Sequence, residues 1–91
     1  MAQQPDNELF RFSLAQALVA DARVAEALAH LEYCTAKRAD WMMARILLGK
    51  SLVQLDRRAE ARPHLEAALR LATEQHHEDP ARELRGLLDD L

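Results

Sequence analysis

Apolar residues recur along this chain at helical, not strand, spacing. Ala27, Leu28, Leu31 and Cys34 share one helical face, as do Ala61, Leu65, Ala68, Leu69 and Ala72, and again Leu84, Leu87, Leu88 and Leu91. The pattern predicts a first helix over about 8–20 with Asn7 as its N-cap, a break at Asp21 to Arg23, and a second helix over 24–37. A third follows over 41–54, capped by Asp40, and a fourth over 58–76, entered through Asp56 and Arg57. Asp79 followed by Pro80 predicts the start of a fifth, with the aspartate as cap and the proline where its missing N–H costs nothing. Loops this short make successive helices antiparallel neighbours. Pro63 falls inside the fourth helix, where it removes a hydrogen bond, so a slight kink facing solvent is expected.

The segment from Arg11 to Glu32 reappears 34 positions later as Arg45 to Glu66, with 11 of 22 pairs identical. Self-similarity at such a period means one supersecondary unit used twice, neither copy able to bury its apolar face alone. The fifth helix has no counterpart in the first copy. With Arg82, Glu83, Arg85, Asp89 and Asp90 as its polar arms, it reads as a terminal cap over the second repeat. The expected organisation is a disordered 1–6, a first repeat over 7–40, a second over 41–76 and a capping helix over 77–91, all in one domain.

Leu48, Gly49, Leu52, Ala61, Leu65 and Ala68 in the second copy, matched by Leu14, Ala15, Leu18, Ala27, Leu31 and Cys34 in the first, resemble the tetratricopeptide repeat, whose period is also 34 residues. The resemblance covers residues 7–74 and implies an all-α fold, an α-α superhelix of two helix-turn-helix repeats plus the capping helix. It extends to short bacterial proteins of that arrangement. Two departures stand out: Arg11 and Arg45 occupy the place of the family's large residue three before the first leucine, and Ala39 and Thr73 replace its closing proline.

On a helical wheel, Ala44, Leu48, Ser51, Leu52 and Leu55 form the packing face of the third helix, and Phe10, Leu14, Ala17 and Leu18 that of the first. The opposite faces ought to be polar. They instead carry Met43, Ile46, Lys50, Val53 and Gln54 on the third helix, and Leu9, Phe12, Gln16, Val19 and Ala20 on the first. In tetratricopeptide repeats these faces line a concave groove, so the resemblance implies a protein or peptide partner held there. Self-association into a homodimer through the same surface is the alternative. The family's carboxylate clamp is absent, since its Lys and Asn positions hold Phe12, Gln16 and Leu47. Lys50 offers one cation, and an apolar groove suits an amphipathic helix or extended apolar segment. Trp41 begins the Trp41, Met42, Met43 cluster; it packs between repeats or serves as a binding hot spot.

Composition narrows the picture further. At 91 residues the chain is one small domain, expected to bury roughly 60 to 65% of its unfolded surface. Two Gly and three Pro suit long helices. A net charge of −3 with interspersed signs gives no basic stripe for nucleic acid. The polar opening, Met1 to Asn7, has no signal-peptide character and no run is long enough to span a membrane, which makes a cytoplasmic protein the expectation. The single Cys34 reads as a small buried thiol. Glu26 with His30 and Glu60 with His64 are i, i+4 pairs expected to meet on the helix surface. The histidines point outward beside Leu31 and Leu65, and the consecutive His76, His77, Glu78 and Asp79 cannot converge on one ion. No metal, no cofactor and no catalytic residue is expected.

Overall fold

The computed structural model describes residues 7–91, so the expectation for 1–6 lies outside the described residues. Five helices follow one another: α1 (Glu8–Ala20), α2 (Val24–Lys37), α3 (Met42–Gln54), α4 (Arg58–Glu74) and α5 (Glu78–Asp89). Each packs on the next, giving the hairpins α1/α2 and α3/α4 with α5 against α4. The extents of 43 × 28 × 19 Å describe a slab about two helices thick.

Three of the four connections are the same turn. Ala22, Asp56 and His76 adopt φ of 61°, 63° and 59°. In each case the next residue's N–H reaches back five residues at 2.8 Å, Arg23 to Leu18, Arg57 to Leu52 and His77 to Ala72, while the residue itself bonds back three. These are Schellman caps, which satisfy the last carbonyls of a helix. Each of the next helices then starts two residues after the left-handed residue.

That geometry shifts two helix boundaries from where the pattern predicts them. The α4 helix ends at Glu74, two residues earlier than the pattern predicts, because His76 turns left-handed. The α5 helix begins at Glu78, with His77 as N-cap and no side-chain cap, so Asp79 lies within the first turn. Pro80 still falls where helical N–H groups have no internal acceptor. Similarly Asp40 does not cap α3; Trp41 is the N-cap, again without a side-chain bond. Asn7 does cap α1, accepting from the N–H groups of Leu9 and Phe10 at 2.9 and 3.1 Å. Pro63 is exposed, and α4 remains α-helical through it.

Ala22 is an exposed β-carbon-bearing residue in a conformation that suits glycine. Left-handed geometry costs an L-residue roughly 1–2 kcal/mol, partly offset by the greater unfolded-state entropy of glycine. Ala22→Gly is expected to stabilise the chain by a net ~0.5–1 kcal/mol, seen as a thermal midpoint several degrees higher.

The core runs through both hairpins. Ala15, Ala27, Leu31, Leu48, Leu52, Ala61, Leu65, Ala68, Ala72 and Leu84 are essentially inaccessible. Gly49, the second-repeat counterpart of Ala15, lets α4 approach so closely that a β-carbon there would collide with Leu65. Cys34 is buried, its thiol 3.4 Å from the Glu8 carbonyl, and burial pushes its pKa up. Leu87, Leu88 and Leu91 lie half-buried against the core.

The buried arc of α1 differs from the one its periodicity predicts. Phe10 is 45% exposed and Ala17 is exposed, whereas Ala15 is fully buried and Phe12 and Val19 are half-buried. Only α2 lies substantially against α1, so its buried arc is centred on that neighbour. No helix among the described residues is long and apolar enough to cross a membrane.

Candidate functional site

A shallow depression of about 280 Å³ opens between α1 and α3. Phe12, Gln16, Val19 and Ala20 line one side and Met43, Ile46, Leu47 and Lys50 the other. Both sets follow the spacing of a single helical face.

Ile46 is only 8% exposed, although its place on the face opposite the packing face predicts an outward residue; α1 residues line the depression across from it. Phe12 stacks on Trp41, centroids 4.8 Å apart at 41°, while the Arg38 guanidinium sits 5.3 Å from the indole. Trp41 therefore ties the second repeat to the first and supports the wall without lining it. Met43, at 52% exposure, and Gln16 form the rim. Lys50 is not an unengaged cation: its Nζ lies 2.7 Å from Oε2 of Glu83 on α5.

Three sequence-selected residues fall elsewhere. Leu9 is 56% exposed beyond the depression. Val53 is half-buried against the core. Gln54 faces a second hollow with Ala22, Arg23, Val24, Ala25, Glu26 and Leu55. Leu47, which the resemblance marks only as a clamp position, also lines the depression; its spacing of four after Met43 and one after Ile46 is the signal for it.

The histidines also depart from expectation. Glu26 and Glu60 take arginines, not His30 and His64, as their hydrogen-bond partners, although the Glu60 charge still acts on His64. Each carboxylate is gripped by the arginine three residues earlier, Arg23 at 2.8 and 2.6 Å and Arg57 at 2.9 and 2.7 Å. The left-handed turns bring those arginines to the helix starts, where the first-turn glutamates also favour the helix dipole. These pairings lower the pKa of both carboxyls and raise that of both guanidinium groups.

His64 is half-buried, with Nδ1 3.2 Å from Nη1 of Arg45, whose Nε donates to the Ala39 carbonyl at 3.1 Å. Arg45 thus joins α3, α4 and the junction between repeats. The equivalent Arg11 instead lies 4.2 Å over the Tyr33 ring, a residue replaced by Ala67 in the second copy.

Desolvation first, and Arg45 second, lower the His64 pKa from its ordinary 6.5, while Glu32 and Glu60 oppose them. A depressed folded pKa means that the unfolded chain binds more protons as pH drops below 6.5. The stability contribution is complete above that pH and declines through the folded pKa. Urea midpoints should therefore fall between about pH 7.5 and about pH 5.5. His64→Gln should flatten this slope relative to wild type.

Among the described residues, no group of three or more His, Cys, Asp and Glu side chains is placed to hold a metal ion. No protein-family model matches the sequence, and no curated protein does either. The chain is similar to the solution NMR structure of a tetratricopeptide repeat domain protein from Salinibacter ruber. That likeness has a TM-score of 0.80 and 24% identity, covering 97% of this chain and 89% of that one.

Proposed function

The chain has the tetratricopeptide-repeat fold, and on that premise we propose that it is a non-catalytic protein-interaction module holding an amphipathic helix or apolar segment between α1 and α3. The observation that carries this reading is the apolar depression itself, built from Phe12, Val19, Ile46 and Leu47 with Met43 exposed at its rim. Exposed apolar surface of this kind favours association because a partner removes it from water. The Lys50–Glu83 pair neutralises the local charge, which favours an apolar partner over an acidic tail. Gln16 supplies a polar contact for register, and Trp41 contributes indirectly by holding Phe12.

Met43→Glu combined with Gln16→Glu tests the reading at two exposed positions, where folding should be unaffected. Affinity capture from lysate of the source organism, followed by mass spectrometry, should lose its specific partner with this variant. Arg70→Glu, on exposed α4 surface, should retain it. Equal capture by both variants would rule out the depression as the docking site.

A further inference from the structure

Among the described residues, the repeat identifies a second face, on α1, with no helix packed on it. α3 packs against α4, its hairpin partner, and against α2, the helix before it; α1 packs substantially on α2 alone. Three pairs of positions record the consequence. Ala44, Leu48 and Ser51 are buried in α3, whereas their counterparts in α1 are exposed Phe10, half-buried Leu14 and exposed Ala17. The sequence thus repeats on α1 a face that α3 buries beneath a preceding helix. Between Glu8 and Asp21 the single charge is Arg11, which lies over Tyr33 on α2. Phe10, Ser13, Leu14 and Ala17 consequently make an uncharged surface two turns long.

We propose that this face binds a second copy of the chain, α1 against α1 and antiparallel, with the two-fold axis at Ser13 and Leu14. The face is self-complementary, because Phe10 and Ala17 lie on either side of that axis. An antiparallel copy seats each Phe10 ring on the other copy's Ala17, large against small, as an isologous interface requires. The ends match as well. Glu8 with Arg38 stands near one end and Asp21 with Arg23 near the other, so antiparallel packing offers each carboxylate a second guanidinium and opposes the helix dipoles. Open-ended stacking is disfavoured: the tail end presents exposed Arg82, Glu83, Arg85, Asp89 and Asp90, which would leave Phe10 against charge. A helix about 20 Å long gives an interface below ~1,200 Å², so the dimer is weak and reversible.

Sedimentation equilibrium of the full chain from about 1 µM to about 1 mM should show monomer giving way to dimer. Phe10→Glu should abolish the dimer with helical circular dichroism unchanged, while Met43→Glu with Gln16→Glu should leave it intact. In a Cys34→Ala background, Ser13→Cys should form a disulfide-linked dimer with diamide as oxidant, since the two-fold places the paired Cα atoms within about 7 Å. Gln16→Cys should not. A monomer at every concentration, a dimer that survives Phe10→Glu or is lost with the depression variant, or no Ser13→Cys cross-link would overturn the proposal.

Discussion

Leu65→Ala is expected to destabilise the chain by about 2–5 kcal/mol, seen as a large drop in urea midpoint with little change in slope. Total stability for a chain of this size is on the order of 5–14 kcal/mol, so the loss is a substantial fraction of the whole. Leu65 is fully buried and faces Gly49, a residue with no side chain to fill the void. Two packed helices can collapse toward it only partly. A midpoint within experimental error of wild type would show that α3 and α4 close the gap.

Gly49→Ala should destabilise for the opposite reason. The added β-carbon would stand 2.6 Å from Leu65 Cγ and closer still to Cδ2. Both atoms belong to a fully buried side chain that would have to shift. Overpacking of this kind costs about 1–3 kcal/mol, reduced by the roughly 1 kcal/mol that alanine gains over glycine within a helix. The first repeat carries Ala15 at this place and accommodates it fully buried. The penalty therefore belongs to the spacing of α3 and α4, not to the repeat as such. Because the new methyl occupies part of the void left by Leu65→Ala, the double variant should cost less than the two single losses added, with coupling of about 0.5–3 kcal/mol. Simple additivity would mean that the two residues do not share one packing site.

Much of the candidate depression was legible in the sequence, because apolar residues on the face opposite the packing face have a recognisable period. Phe12, Gln16, Val19, Met43, Ile46 and Lys50 all line it. Leu9, Val53 and Gln54 do not, since a wheel gives direction around one axis but no position along a neighbouring helix. Trp41 and Lys50 show the same limit. The partners that define them, Phe12 and Glu83, lie 29 and 33 residues away.

The sequence by itself determined the five helices, the two repeated hairpins and the packing faces of α2 to α5, because 3.6-residue periodicity and a 34-residue identity are local and additive signals. Tertiary structure decided the rest. Which arc of α1 is buried depends on how many helices surround it, and the glutamates choose Arg23 and Arg57 over the histidines because left-handed turns bring the arginines within reach. The starts of α2, α4 and α5 likewise follow backbone turns at Ala22, Asp56 and His76, of which no residue is glycine. Backbone hydrogen bonds that close the preceding helix, from Arg23, Arg57 and His77 back to Leu18, Leu52 and Ala72, hold those turns, and no glycine marks them in the sequence.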